Sequence, residues 1–355
     1  MYIKTLTLIN FRNYCQSTIE FDRNLNVIIG KNGIGKTNIL ESIYFLTFGK
    51  SWKTLYDYEV ISYSANYSNI KAEITNSKKN NLFVGIERGF GNNSKKVFKI
   101  NEVKKTVSGF TNELKSITFS PSDLEIILLS PTIRRRFLDE ILLQTDDKYK
   151  KYIIDLKKIV TNRNKILKRI KEGVATYDEM EFWNIELIEK STYIQKQRQE
   201  VINFINSYLK VNFINFSNTK SSANIIYKKS ACDKNKLINY RDIEIITKRT
   251  LFGAQKDDFD ITFLKDNKTF SSKYFASRGE QRSITFVLKL GALNYIQQQA
   301  NTKLVLLLDD IYSELDETHR VAIGNFIKNN QTIITTAEES LVPKEILNKA
   351  KITKL

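Results

Sequence analysis

One stretch near the N-terminus constrains this chain more than any other. Residues 30–37 read Gly-Lys-Asn-Gly-Ile-Gly-Lys-Thr, which fits the template G-x-x-x-x-G-K-[ST] without a gap. Residues 25–29 ahead of it have the length and β-branching of a buried strand, and residues 38–46 behind it repeat apolar side chains at helical spacing. Gly49 is expected to end that helix. A strand, a glycine loop and a helix in this order predict a phosphate-binding loop.

The chemistry of such a loop assigns a role to each of its residues. Glycine lets the backbone bring its N–H groups against phosphate oxygens, and the positive end of the following helix attracts the same anion. Lys36 is expected to reach the β- and γ-phosphates, and the Thr37 hydroxyl to ligate Mg²⁺. The residues expected to bind the nucleotide are Gly30, Lys31, Asn32, Gly33, Ile34, Gly35, Lys36 and Thr37.

Composition narrows the class of protein. The chain has 355 residues, enough for two or three domains, and no apolar run of the length that a membrane helix needs. Cys15 and Cys232 lack metal-ligand spacing and are expected to be free thiols in a reducing, cytoplasmic compartment. The net charge of +17 suggests a polyanionic partner, most often nucleic acid. An acidic membrane surface, or simply many solvated lysines, are the alternatives.

The pattern along the chain changes near Pro131. The first 120 residues indicate strands separated by polar turns, whereas residues 131–209 are charged with apolar side chains at helical intervals. This predicts long helices packed as a hairpin with its turn near Gly173, then a polar connection around residues 232–239 and a new strand at 260–263. The apolar helix faces are expected to contain Tyr152, Leu156, Ile159 and Val160, and then Phe182, Ile185 and Ile188.

A second strong pattern lies in residues 304–310, an unbroken apolar run that ends in two acids. Such a run is typical of a buried parallel strand whose carboxyl end opens on a ligand crevice. Asp309 is then placed to hold Mg²⁺, and Asp310 to orient or deprotonate an attacking water. The alternative is a core strand capped by an acidic turn.

Between these two patterns lies Ser277-Arg278-Gly279-Glu280-Gln281-Arg282, followed by an apolar helix. Ser277 and Glu280 have the spacing of a capping box, and the same helix N-terminus is also suited to an anion. Residues 313–316, Ser-Glu-Leu-Asp, follow the acidic strand. ATP-binding-cassette ATPases have these motifs in the same order: the glycine loop, Ser-x-Gly-x-Gln, the apolar strand with paired acids, and Ser-x-Leu-Asp.

The sequence resembles the RecF family of DNA repair and replication proteins, relatives of the chromosome-maintenance ATPases, nearly from end to end. The matching segments are residues 11–14, 30–41, 119–124, 131–139, 276–282 and 307–316. The resemblance implies an α/β fold: an ATP-binding-cassette head with a P-loop, a mixed or antiparallel β subdomain and an inserted helical arm. The implied domains are residues 1–130 and 251–355 for the head and 131–250 for the arm.

The resemblance also implies a mechanism. Two heads would close on two ATP molecules with Mg²⁺, each loop facing Ser277, Arg278 and Gly279 of the partner copy, with Gln281 also at the nucleotide. Lys36, Asp309, Asp310 and Ser277 would be the catalytic residues of a slow ATPase whose ATP-dependent homodimer clamps single-stranded, gapped or junction DNA. Recombination-mediator proteins would be its partners. The alternatives are an ATPase subunit with a membrane or other partner, and a nuclease-coupled ATPase.

This sequence departs from the family pattern at several positions. Residues 253–258 read Gly-Ala-Gln-Lys-Asp-Asp, with Gln255 where relatives usually have histidine. Arg278 and Glu280 replace the more usual glutamines, and the strand that ends at Thr335-Thr336 offers threonines where transporter ATPases place a catalytic histidine. His319 is expected on a helix surface. For the three arginines 134–136 a structural or hinge role is favoured over a DNA contact, with one arginine paired to Asp139.

Overall fold

A computed structural model describes residues 1–76, 78–91, 93–213, 222–265, 268–313, 319–320, 323–324, 327 and 329–355. The chain divides into two compact units, the first formed by Met1–Asp123 with Gln297–Leu355 and the second by Leu124–Ile296. This division groups residues 251–296 with the helices, whereas the predicted domain boundaries place them in the head. The domain boundaries after residues 130 and 250 therefore stay a prediction.

The first unit contains an antiparallel sheet. Its strands are β1 (Tyr2–Phe11), β2 (Tyr14–Glu20), β4 (Tyr67–Thr75), β5 (Lys79–Arg88), β6 (Ser94–Ile100) and β7 (Val103–Lys105). Among the described residues they are ordered β2-β1-β4-β5-β6-β7. Alternate side chains such as Leu6, Leu8, Ile70 and Val84 are fully buried, because one face of the sheet covers the core and the other faces solvent.

The same unit contains a parallel sheet. In the described part its order is β14 (Lys351–Lys354), β3 (Leu25–Ile29), β13 (Gln331–Thr336), β12 (Val305–Asp309) and β8 (Ser116–Phe119). The strand predicted at 25–29, the strand predicted in the acidic run 304–310 and the strand that ends at Thr335-Thr336 are confirmed as β3, β12 and β13. Every residue of β12 and β13 is buried. The apolar run of β12 is therefore that of a strand covered on both faces, whereas β13 carries Gln or Thr at four of its six buried positions.

Helix α1 (Lys36–Phe48) contacts strands of both sheets and is buried over most of its length. Its Ile39, Ile43 and Phe45 join the core that includes Leu6 and Leu307. Gly49 ends it in the left-handed conformation, with φ of 69° and its N–H on the Phe45 carbonyl, as predicted. A short helix α2 (Val107–Phe110) and a helical turn near the C-terminus (Lys344–Leu347) also belong to this unit.

The second unit contains the predicted helical hairpin. Helices α3 (Glu125–Leu128) and α4 (Pro131–Leu142) lead into α5 (Asp147–Lys171), which packs against α6 (Glu181–Asn212). Gly173, with φ of 74°, lies in the turn between α5 and α6, so the predicted position of the turn is confirmed. The Asp146 side chain caps α5 by accepting the Tyr149 N–H at 2.9 Å.

The remaining elements of this unit are α7 (Lys234–Asn239), α8 (Arg241–Thr247), α9 (Ser272–Phe275), α10 (Arg278–Ala300) and the strands β9 (Ser222–Lys228), β10 (Asp258–Lys265) and β11 (Lys268–Ser271). The described strands form an antiparallel sheet ordered β11-β10-β9. The strand predicted at 260–263 is confirmed within β10. The polar stretch at 232–239 is not an open connection, because Asp233 caps helix α7 through the Lys236 N–H at 2.9 Å.

One predicted helix face is wrong. Phe182 and Ile185 are 62% and 60% exposed. The inward face of α6 instead contains Leu187, Ile194 and the polar Arg198. Apolar periodicity misses this face because a buried arginine with paired carboxylates occupies an inward position that the pattern counts as polar.

Candidate nucleotide-binding site

The glycine loop adopts a backbone that only glycine accommodates at two positions. Gly33 has φ of 82° and Gly35 has φ of 117°. A Cβ on Gly35 would lie 2.6 Å from Nδ2 of Asn13 and 2.9 Å from Oη of Tyr14. Gly35 is therefore required both for its left-handed conformation and for the close approach of these side chains.

Lys36 is the first residue of α1, yet its ammonium group turns back into the loop. Its Nζ donates to the carbonyl oxygens of Gly30 at 2.5 Å and Lys31 at 3.1 Å. The side chain is largely buried. The loop therefore holds its positive charge next to the N-terminus of the helix, where a phosphate group would be attracted by both.

The predicted metal-binding residues lie together. The Thr37 hydroxyl donates to Oδ1 of Asp309 at 2.9 Å, and the Thr335 hydroxyl donates to the same oxygen at 2.7 Å. Sheet order explains this meeting, because β13 lies between β3 and β12 and all three end at the same edge. A hydroxyl and a carboxylate are the oxygen ligands that Mg²⁺ prefers when phosphates and water supply the rest, so these residues fit that ion.

Asp310 lies just beyond β12 in the left-handed region, with φ of 49°. Aspartate tolerates this conformation better than most residues. Its backbone N–H donates to the carbonyl oxygen and to the hydroxyl of Thr335, both at 3.1 Å. Thr335 therefore positions both acids. From sequence, Thr335 was only one of two threonines that stand where transporter ATPases have a histidine. Its position at the end of a strand is the signal that could have placed it beside the acids.

The segment Phe11–Tyr14 supports the loop directly, which spacing did not predict. Asn13 donates from Nδ2 to the Ile34 carbonyl at 2.7 Å and accepts from Nδ2 of Asn38 at 2.9 Å. Asn13 therefore ties the loop to the first turn of α1. Burial raises the pKa of the neighbouring Tyr14 hydroxyl to about 12, so it stays protonated.

A buried carboxylate on α1 organises the charges beside the loop. Glu41 is fully buried and accepts two hydrogen bonds from Arg12, at 2.6 and 3.0 Å, and one from Ser51 at 2.5 Å. Nζ of Lys53 lies 3.9 Å from Glu41 and donates to Asn38 at 3.1 Å. Burial lowers the pKa of Lys53, and the nearby charges of Glu41 and Asp309 oppose that shift. Lys53 is therefore a further cation near Glu41 and Asp309. No motif in the sequence predicted its position.

The Ser277 segment begins helix α10. The Ser277 N–H donates to Glu280 at 2.7 Å and the Glu280 N–H donates to the Ser277 hydroxyl at 3.2 Å, which confirms the capping box. Gln281 is buried and its amide donates to the Ser272 and Lys273 carbonyls at 3.0 and 3.3 Å. It therefore anchors α9 within this chain, and its predicted contact with nucleotide stays a prediction.

The paired acids at the end of the 253–258 segment are structural. Asp257 is 1% exposed. It accepts hydrogen bonds from Gln195 at 2.7 Å, Arg198 at 2.9 Å, Tyr227 at 2.5 Å and the Ser230 N–H at 2.8 Å. Asp258 forms a two-pronged ion pair with Arg134, at 2.6 and 3.0 Å. Both carboxylates are thus occupied in holding the helical unit together.

The three consecutive arginines also serve structure. Arg134 pairs with Asp258, Arg135 donates to the Asp257 carbonyl at 2.8 Å, and Arg136 lies 3.6 Å from Glu140. The predicted pairing with Asp139 is wrong. That carboxylate accepts instead from Arg198 at 2.8 Å and from the Tyr149 hydroxyl at 2.5 Å, because α6 brings a fourth arginine to it from a distant part of the sequence.

The prediction for His319 is wrong, since its side chain is only 4% exposed. Residues 314–316 of the Ser-x-Leu-Asp segment lie outside the described residues. Cys15 is exposed and Cys232 buried, and neither forms a disulfide, as predicted. Among the described residues, none of the helices has the apolar length that spanning a bilayer takes.

The fold and the loop with its acidic strand define an ATPase head of the ATP-binding-cassette type. The glycine loop follows β3. The Asp309 carboxylate at the end of β12 accepts a hydrogen bond from the hydroxyl of Thr37, the last residue of that loop. The chain belongs to the RecF family, within the broader RecF/RecN/SMC N-terminal domain family whose model matches residues 2–353. The resemblance seen in the sequence is thereby confirmed.

Its similarity to individual members extends over the whole chain. It is 35% identical to the DNA replication and repair protein RecF of Clostridium kluyveri, covering 99% of this chain and 97% of the relative. It is 32% identical to the protein of the same name from Clostridium tetani, covering 100% and 98%. A solved structure of the recombination mediator protein RecF-ATPrS in the RecFOR pathway matches with a TM-score of 0.87 at 27% identity, over 100% of this chain and 96% of that one.

Proposed function

We propose that this chain is an ATP-dependent DNA-binding protein of DNA repair and replication. It would act in recombinational gap repair and SOS induction, in the cytoplasm. The observation that carries this proposal is the contact between Thr37 of the loop and Asp309 of the acidic strand, 2.9 Å apart, in a member of the RecF family. The net charge of +17 supports DNA as the partner.

The nucleotide in this proposal is ATP with Mg²⁺. Two similar solved structures, described as RecF-ATPrS and RecF-ATP, support ATP as the ligand. The backbone of residues 30–35 would contact the phosphates, Lys36 would bind the β- and γ-phosphates, and Thr37 and Asp309 would hold the metal ion. The ion would neutralise developing charge on the phosphates. Asp310 would accept the proton of the attacking water.

The second half of the site would come from another copy of the chain. A Cβ at Gly279 would meet no atom within 4 Å, so this chain's own packing does not require glycine there. The glycine is instead suited to the close approach of a group from outside the chain. Ser277, Arg278 and Gly279 at the start of α10 would then contact the γ-phosphate bound by the partner, so that ATP joins two heads around DNA.

The closed dimer would clamp DNA and help a recombinase to load, together with recombination-mediator proteins. Hydrolysis would release the clamp. Thr335 and Thr336 lie where transporter ATPases place a histidine, and the Thr335 hydroxyl is committed to Asp309. A slow turnover is therefore part of the proposal, since no second base assists Asp310 at that position.

The test is DNA affinity measured with and without ATP as salt is varied. We expect ATP to tighten binding to gapped DNA by about tenfold or more, and the logarithm of the affinity to fall linearly with the logarithm of salt between about 50 and 200 mM. Sedimentation of the same samples should show the dimer only with ATP. A DNA affinity that is the same with and without ATP, or that does not change with salt, contradicts the proposal.

Replacing Asp310 with asparagine should trap the closed dimer. The amide keeps the shape of the side chain but cannot accept a proton, so hydrolysis should fall about 100-fold or more while ATP still binds. Gel filtration of Asp310→Asn with ATP should give a dimer that persists for hours, and with ADP a monomer. A monomer in both nucleotides would show that the heads are not joined by ATP.

A further inference from the structure

One end of the antiparallel sheet has a group of aromatic side chains, four of them exposed and one, Tyr58, half-buried against the core. We name it the aromatic rim and define it as Tyr56, Tyr58, Tyr63, Tyr67 and Phe90. Phe90 and Tyr63 are exposed to the full extent of their side chains, and Tyr67 and Tyr56 are 46% and 42% exposed. Single exposed apolar residues are common, whereas five aromatic residues at one edge form a surface suited to binding.

Folding does not account for Phe90. It lies at the tip of the turn between β5 and β6, which the Gly89 N–H closes on the Asn93 carbonyl at 2.9 Å. Gly91, with φ of 65°, supplies the left-handed residue that the turn needs. A polar side chain at position 90 would serve the turn equally well, so its exposed ring is available for a ligand.

Strand register brings the other members of the rim to the same edge. Tyr67 pairs with Glu87 at the end of β5, and Glu87 pairs with Lys95 at the start of β6. The Arg88 N–H donates to the Asn66 carbonyl at 2.9 Å. Three strand ends therefore present Tyr67, Arg88 and Phe90 within a few residues of the same turn.

Two further rings lie on the segment ahead of β4. Tyr56 and Tyr58 stack with centroids 5.6 Å apart, and the Arg88 guanidinium lies 5.8 Å from the Tyr58 ring. A ring next to a guanidinium can take a base on one side and a phosphate on the other. The rim is therefore a series of ring faces with a cation among them.

The charged side chains at this edge are of both signs. Arg88 and Lys95 are exposed, and Lys96 is paired with Asp57 at 2.5 Å. Glu59 and Glu87 are also exposed, so the named charges cancel and leave no excess of positive charge. Phosphate attraction alone would be weak here, and stacking must supply much of the affinity. Duplex DNA hides its base faces, whereas an unpaired strand offers them.

We infer that the aromatic rim binds the unpaired bases of single-stranded DNA by stacking, with Phe90 and Tyr63 as its main contacts and Arg88 and Lys95 on the phosphates. The inference rests on the proposed function, because DNA binding is itself proposed. It goes further by naming the state of the strand and the residues that recognise it. A gap in duplex DNA would be distinguished from intact duplex at this edge.

The test compares the full-length protein with the double variant Phe90→Ala, Tyr63→Ala. The probes are an oligonucleotide, the matching duplex, and a gapped duplex with 2-aminopurine in the gap. We expect affinity for the single strand and for the gap to fall at least about fivefold, with duplex affinity within about twofold. Quenching of 2-aminopurine, which reports stacking, should be lost, and Phe90→Trp should restore it. Phe182→Ala, which removes another exposed ring, should change nothing.

Four results would overturn the inference, the first three of them measured on DNA and ATP. These three are an equal loss for duplex and single strand, unchanged quenching in the double variant, and a loss of ATP affinity, which would assign the rim to the nucleotide. A partner protein that binds the wild type but not the double variant, with DNA affinities unchanged, would likewise contradict it. If the wild type binds no DNA at all, the proposed function fails instead, so the two failures are distinguishable.

Discussion

Replacing Lys36 with alanine is expected to weaken ATP binding at least about 100-fold. The ammonium group is largely buried and held by the Gly30 and Lys31 carbonyls, so it is already oriented inside the loop where the phosphates would lie. A hydrogen bond to a charged group contributes about 1.5–3 kcal/mol, and this side chain would supply two, to the β- and γ-phosphates. Titration calorimetry with ATP and Mg²⁺ measures the change directly.

The matched control is Lys50→Ala. Lys50 is an exposed lysine that follows the opposite end of α1, so this variant removes the same charge without touching the loop. We expect its ATP affinity to match that of the wild type, and both variants to unfold at the wild-type temperature. Equal affinities for Lys36→Ala and the wild type would show that the loop does not bind phosphate in the predicted way.

The second large effect is expected in the helical unit. Arg198 is 1% exposed. It donates to Asp257 at 2.9 Å, Asp139 at 2.8 Å, Tyr149 at 3.0 Å and the Ala254 carbonyl at 2.6 Å. Replacement by methionine preserves much of the volume but leaves two carboxylates without their cation. Breaking a buried pair in this way costs about 3–5 kcal/mol, so the free energy of unfolding should fall by that amount.

Denaturation in urea, followed by tryptophan fluorescence, measures this change. A Trp52→Phe background leaves Trp183, at the start of α6, as the reporter for the helical unit. Lys196→Met is the control, because Lys196 is exposed two residues earlier on the same helix. A loss below about 1 kcal/mol for Arg198→Met would show that the cluster is not a main support of this unit.

The elements that local spacing encodes were predicted well. The glycine loop, the strand before it, the helix after it and the capping box at Ser277 depend on residues within one or two turns of each other. Gly35 and Gly49 are required by their own backbone conformations. The buried acidic strand was equally readable, because an unbroken apolar run is typical of a parallel strand covered on both faces.

The errors arose where a distant segment supplies a partner. Asp139 was expected to pair with a neighbouring arginine, but α6 brings Arg198 to it. Phe182 and Ile185 fit an apolar face, yet both are exposed, whereas the buried face further along α6 includes the polar Arg198. Periodicity treats a charged residue as a mark of the surface and cannot detect that its charge is compensated by a residue far along the chain.

Taken alone, the sequence of residues 30–37 predicted a phosphate-binding loop, since the required conformations belong to glycine and the required charge to lysine. The tertiary structure decided what completes this site within the chain. Sheet order brings Asp309 and Thr335 to Thr37, and the hairpin of β1 and β2 brings Asn13 to Ile34. These contacts join residues as far as 272 positions apart, and only the pairing of strands places them at one edge.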